Sequence, residues 1–110
     1  MMNKNFEEDN TLKFKGGLEI CLLRRNVLLN KREIFLTTKE FDILYFLASY
    51  PDFVFTHKQI YEVVWNEEYV HDDANITSHI SHIRRKIEPD PNHPVYIQTV
   101  RGVGYKFVKQ

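Results

Sequence analysis

From Asn75 to Glu88 the chain reads Asn-Ile-Thr-Ser-His-Ile-Ser-His-Ile-Arg-Arg-Lys-Ile-Glu, a run that concentrates hydroxyls, imidazoles and cations. Three chemistries use such residues. Ser78 and Ser81 beside His79 and His82 resemble fragments of a hydrolase, but no nucleophile elbow accompanies them. His79 and His82, three residues apart, are a possible metal pair. No Cys or second His pair joins them, and Arg84, Arg85 and Lys86 would repel a cation, so no metal and no cofactor are expected. The third chemistry is the reading of duplex DNA. Hydroxyls bond to several base edges, Arg is the best donor to guanine, and flanking Arg and Lys reach phosphates. Gly102-Val103-Gly104 is no nucleotide fingerprint, since it lacks a third glycine and does not lead into a helix. The chain is not expected to be an enzyme.

These residues need a helix to present them. Asn75 is a good N-cap, and Asp72 and Asp73 before it suit the positive end of a helix dipole. Ile76, Ile80, Ile83 and Ile87 fall within one narrow arc at ~100° per residue, which predicts a core-facing stripe. The opposite face then carries Ser78, Ser81, His82 and Arg85, with Thr77 and Arg84 on one flank and His79 and Lys86 on the other. A solvated basic face would look the same, so the following segment matters. Val95–Val100 and Tyr105–Val108 read as two strands joined by Arg101-Gly102-Val103-Gly104, a turn rich in residues that tolerate positive φ. An Arg on so slim a turn can enter a minor groove.

The preceding elements form a scaffold. Residues 1–10 are polar and acidic and read as a flexible start or linker remnant, with a single domain over 11–110. Short apolar runs from Thr11 to Leu36, broken by polar turns, predict an antiparallel meander. Thr37 with Glu40, and Thr56 with Gln59, have capping-box spacing and open two helices. Pro51 stops the first, Val54-Phe55 can be a short strand, and Trp65 is a core anchor. Residues 66–74 form an acidic loop. The sequence is 43% hydrophobic, with 8 Phe, 6 Tyr and 1 Trp, which is too apolar for a disordered tail. No apolar run approaches the ~20 residues of a membrane span, and the lone Cys21 suits a reducing cytosol, so a cytoplasmic setting without membrane contact is expected. The net charge of zero is unevenly spread: residues 1–73 carry −4 and residues 74–110 carry +4. A neutral domain can therefore offer a basic end to phosphates.

Leu36-Thr37-Thr38-Lys39-Glu40-Phe41-Asp42-Ile43-Leu44, Val63-Val64-Trp65, His79–Ile87 and above all Ile97-Gln98-Thr99-Val100-Arg101-Gly102-Val103-Gly104-Tyr105-Lys106-Phe107 resemble the OmpR/PhoB-type effector domains of response regulators. The resemblance implies an α+β winged helix-turn-helix: a four-stranded antiparallel N-terminal sheet, three helices and a C-terminal hairpin wing. It implies that the third helix enters the major groove, with Ser78, Ser81 and His82 toward bases and Asn75, Thr77, His79, Arg84 and Arg85 near phosphates, and that Arg101 reaches the minor groove. Glu67, Glu68, Asp72 and Asp73 would form the loop that meets RNA polymerase. The implied partners are double-stranded DNA in direct-repeat half-sites, a second copy on DNA, and the receiver domain of a longer protein, from which this chain would be an excised effector part. Many members carry Arg and Asp where Ala74 and Thr77 stand, and Arg where Ser81 and His82 stand. The alternative is a protein-interaction module that works through the acidic loop without reading DNA.

Overall fold

The computed structural model describes residues 10–70 and 73–109. Four short strands open the chain: β1 (Thr11–Phe14), β2 (Leu18–Cys21), β3 (Asn26–Leu29) and β4 (Arg32–Ile34). They pair antiparallel in sequence order, as the predicted meander requires. The expected linker remnant at 1–10 lies outside the described residues except for Asn10, a turn residue just before β1 whose carbonyl accepts from the Leu22 N–H at 3.0 Å. Leu18, Ile20 and Val27 face inward and are fully buried.

Helix α1 (Thr38–Ser49) starts at a complete capping box. The Glu40 N–H donates to Thr37 Oγ1 at 3.2 Å, and the Thr37 N–H donates to Glu40 Oε1 at 3.0 Å. Helix α2 (His57–Trp65) repeats the device with Thr56 and Gln59 and ends at Asn66 in the left-handed region, φ 56°. Lys39 Nζ donates to the Val64 carbonyl at 3.2 Å, tying the start of α1 to the end of α2. Trp65 is half-buried against the core edge and stacks on Tyr61 at 4.9 Å.

Helix α3 spans Asp73–Ile87, so it begins before Asn75, the cap expected from sequence. Asp73 occupies its first turn, where a carboxylate favours the amide-rich end of the dipole. Ile76, Ile80, Ile83 and Ile87 are all buried, and with Phe41, Leu44 and Ile60 they form the centre of the molecule.

Strands β6 (Ile97–Val100) and β7 (Gly104–Phe107) form the C-terminal hairpin. The apolar piece at Val54-Phe55 contributes β5 (Phe55–Thr56), which pairs with β7, so the hairpin is part of a three-stranded sheet of order β5-β7-β6. Tyr96, Ile97 and Phe107 carry this sheet into the same core as α3.

Candidate nucleic-acid interface

The isoleucine stripe fixes which side of α3 meets solvent. Ser78, His82 and Arg85 are exposed, Ser81 is half-buried, and Thr77 is exposed beside it. Thr77, Ser81, Arg84 and Arg85 line one open groove, whose far wall is Asn92 and the wing residue Tyr105. The helix and the wing thus share a continuous polar surface. At the other end of the wing, Val100, Gly102 and Val103 line a groove with His57 and Asp73, which puts the hairpin turn beside the N-terminal end of α3.

The turn owes its shape to two glycines with different tasks. Gly102 adopts φ 79°, a conformation that L side chains rarely hold, while the Val103 N–H closes the turn on the Val100 carbonyl at 2.9 Å. Gly104 does not lie at positive φ, contrary to the expectation for this turn. A Cβ there would fall far inside van der Waals contact of the Phe55 carbonyl oxygen, so Gly104 permits β5 to approach β7. Arg101 stands exposed on the turn.

His79 and Arg84 of α3 are engaged within the protein. His79 Nδ1 donates to the Asn75 carbonyl at 2.7 Å, and its ring meets Trp65 edge-on at 5.3 Å. Arg84 donates to the Ile97 carbonyl through Nε (3.1 Å) and Nη2 (2.8 Å), and to Thr99 Oγ1 at 2.9 Å. Its guanidinium lies 5.6 Å from the centre of the Tyr105 ring. Burial lowers the Arg84 pKa from its ordinary value against the opposing pull of Tyr105 and Glu88. Arg85 is exposed.

On the opposite flank α3 meets α1 through a buried carboxylate. Lys86 Nζ donates to Glu40 Oε1 at 2.7 Å, and His82 Nδ1 lies 3.8 Å from Glu40 Oε2. Burial disfavours ionisation of Glu40, but the Lys86 hydrogen bond, the Thr37 amide and the charges of Lys86 and His82 outweigh it and hold the carboxyl below its ordinary value. The two imidazoles therefore serve different neighbours, His79 within α3 and His82 toward α1.

The acidic residues of the expected 66–74 loop are separated. The Tyr61 hydroxyl donates to Glu67 at 3.3 Å, and Glu68 is exposed. Asp73 belongs to α3, pairs with the Tyr69 hydroxyl and borders the wing groove, so it does not share a loop with Glu67 and Glu68. Asp72 lies outside the described residues. Sequence reasoning missed Glu88, whose buried carboxylate accepts from the N–H groups of Val95, Tyr96 and Ile97. The only signal for it was a carboxylate closing an otherwise cationic helix end.

Comparison with known proteins agrees with this architecture. A family model described as "Transcriptional regulatory protein, C terminal" matches residues 31–107. The transcriptional regulatory protein YcbL of Bacillus subtilis is 48% identical over 81 residues, which cover 74% of this chain and 36% of that protein. The DNA-binding response regulator MtrA of Mycolicibacterium paratuberculosis is 36% identical over 105 residues, 96% of this chain and 47% of its own length. The chain thus spans less than half of either relative. Among solved structures, the response regulator DrrB of Thermotoga maritima, an OmpR/PhoB homologue, superposes with a TM-score of 0.82 at 37% identity, over 96% of this chain and 48% of that one. The RstA DNA-binding domain of Klebsiella pneumoniae, solved in complex with the RstA box, gives 0.81 at 30% identity over 89% and 96% of the two chains. With the fold, the wing and the matched residues in agreement, this chain belongs to the family of C-terminal transcriptional regulatory domains, the winged-helix effector domains of the OmpR/PhoB type.

Proposed function

We propose that the domain binds double-stranded DNA sequence-specifically and regulates transcription as the output half of a two-component response regulator. Helix α3 lies in the major groove, with Ser78, Ser81 and His82 toward base edges. Asn75, Thr77, His79 and Arg85 lie near phosphates, and Arg101 enters the adjacent minor groove. The observation that carries this reading is the continuous groove from Thr77, Ser81 and Arg85 on α3 to Tyr105 on the wing, with the Arg101 turn at the N-terminal end of the helix. A domain of this size covers few base pairs, so two copies on direct-repeat half-sites supply useful affinity, with pairing favoured by a receiver domain in the longer protein. RNA polymerase is the partner for Glu67 and Glu68.

The test is selection of a preferred duplex from a random pool, followed by gel shift of variants on that duplex. Arg85→Ala combined with Arg101→Ala is expected to weaken binding roughly 100-fold, two contacts of about 1–3 kcal/mol each, with an unchanged circular dichroism spectrum. Wild-type affinity in the double variant would place the reading face elsewhere.

A further inference from the structure

Strand β6 is an edge strand, since β7 lies between it and β5. An edge strand leaves alternate backbone groups without a ladder partner, and buried ones must find partners elsewhere. The Tyr96 carbonyl points inward, accepting from the Val108 N–H at 2.8 Å, so the N–H and C=O of Ile97 point the other way. One is taken by α3 and the other by Glu88, the residue that follows it. Glu88 accepts the Ile97 N–H at 2.9 Å, together with those of Val95 at 2.7 Å and Tyr96 at 3.1 Å. Arg84, one helical turn earlier, donates twice to the Ile97 carbonyl and once to Thr99 Oγ1, and its guanidinium lies near the Tyr105 ring of β7. One carboxylate and one guanidinium therefore hold Val95, Tyr96, Ile97 and Thr99 against the helix.

We infer that Arg84 and Glu88 form a two-point clamp that fixes the wing's orientation on α3 and so sets where Arg101 can reach. The inference rests on the DNA-binding reading above, and it gives Arg84 a different task from the phosphate contact that the family resemblance implies. Three donors of Arg84 are already committed to the protein, and a phosphate would have to compete with them. The fork matters here. Lysine keeps the charge but cannot present Nε and Nη2 together to one carbonyl. A phosphate contact survives such a replacement, whereas a clamp does not. Helix and wing then meet DNA as one body, with no ordering of the hairpin left to be done on binding.

Fluorescence anisotropy on a duplex selected by the wild-type chain separates the two roles. Arg84→Lys is expected to weaken binding roughly tenfold, close to the loss in Arg101→Ala, and the double variant is expected to be little weaker than Arg101→Ala alone. Thr99→Val, which removes one acceptor of the clamp and no charge, is expected to fall in the same direction and to be equally non-additive with Arg101→Ala. Affinity of Arg84→Lys within twofold of wild type, or losses that multiply with Arg101→Ala, would overturn the clamp. Residual dipolar couplings of the free domain give a readout independent of DNA: amides of β6 and β7 should reorient relative to α3 in Arg84→Lys and stay put in Arg101→Ala. Unchanged couplings in Arg84→Lys sink the clamp. Failure of the wild-type chain to select any duplex sinks the DNA reading instead, and wild-type affinity in Arg101→Ala sinks the wing contact that the clamp would aim.

Discussion

At the scale of single residues, the chain relies on a few polar groups whose work is done inside the protein. Glu40 is the clearest. It caps α1, anchors Lys86 of α3 and stands behind His82, all while 3% exposed. Because its carboxyl titrates below the ordinary value of 4.5, the folded state binds the proton more weakly than the unfolded chain. Its stabilising contribution is complete above that value and is lost as pH falls below it. Glu40→Gln should cost about 2 kcal/mol at neutral pH and flatten the acid limb of stability, read from denaturant midpoints over a pH series. An unchanged acid limb would mean that Glu40 does not carry this linkage. Residues of this kind were poorly legible in the sequence. The capping-box spacing gave Glu40 one task, with Thr37, but its second and third partners lie on another helix. In the sequence Glu88 stands only as the carboxylate after a cationic run. Partners far apart along the chain leave no periodic trace.

At the scale of elements, periodicity made the fold readable. The four isoleucines of α3 repeat every three to four residues and all are buried, because a helix packed on one side must place its apolar residues that way. The strand turns and both capping boxes were legible for equally local reasons. The start of α3 was not: Asn75 has the better capping chemistry, yet the helix extends back to Asp73. Gly104 was legible as a glycine but for the wrong cause, since its role depends on β5, some fifty residues earlier. That role gives a sharp expectation. Gly104→Ala forces β5 from β7 and should destabilise the domain by about 2 kcal/mol or more, seen as a lower thermal midpoint. Gly102→Ala meets no neighbouring atom and bears only the strain of its φ, so it should cost less. Equal losses at the two positions would contradict the close-approach argument.

At the scale of the whole molecule, a chain of zero net charge presents a helix and wing drawn from its +4 segment. In the proposed complex its phosphate contacts are few, because the exposed face of α3 carries no cation at Ala74, Ser81 or His82. A shallow dependence of affinity on salt follows. Ala74→Arg, on the exposed first turn of α3, should steepen the slope of log K against log salt by about 0.9, measured by anisotropy across a salt series on the selected duplex. An unchanged slope would place position 74 away from the backbone of the DNA.

Strand β7 follows both of its neighbours, β5 and β6, along the chain, yet it is the middle strand of their sheet. During synthesis, β5 and β6 emerge with nothing to join them until β7 follows and delivers Phe107, a fully buried side chain. A polypeptide halted at the hairpin turn would keep the sequence of α3 yet have neither wing nor closed interior. Wing and closed core thus arrive together with β7, and a product truncated before it is expected to be unfolded rather than a weakened binder of the proposed DNA site.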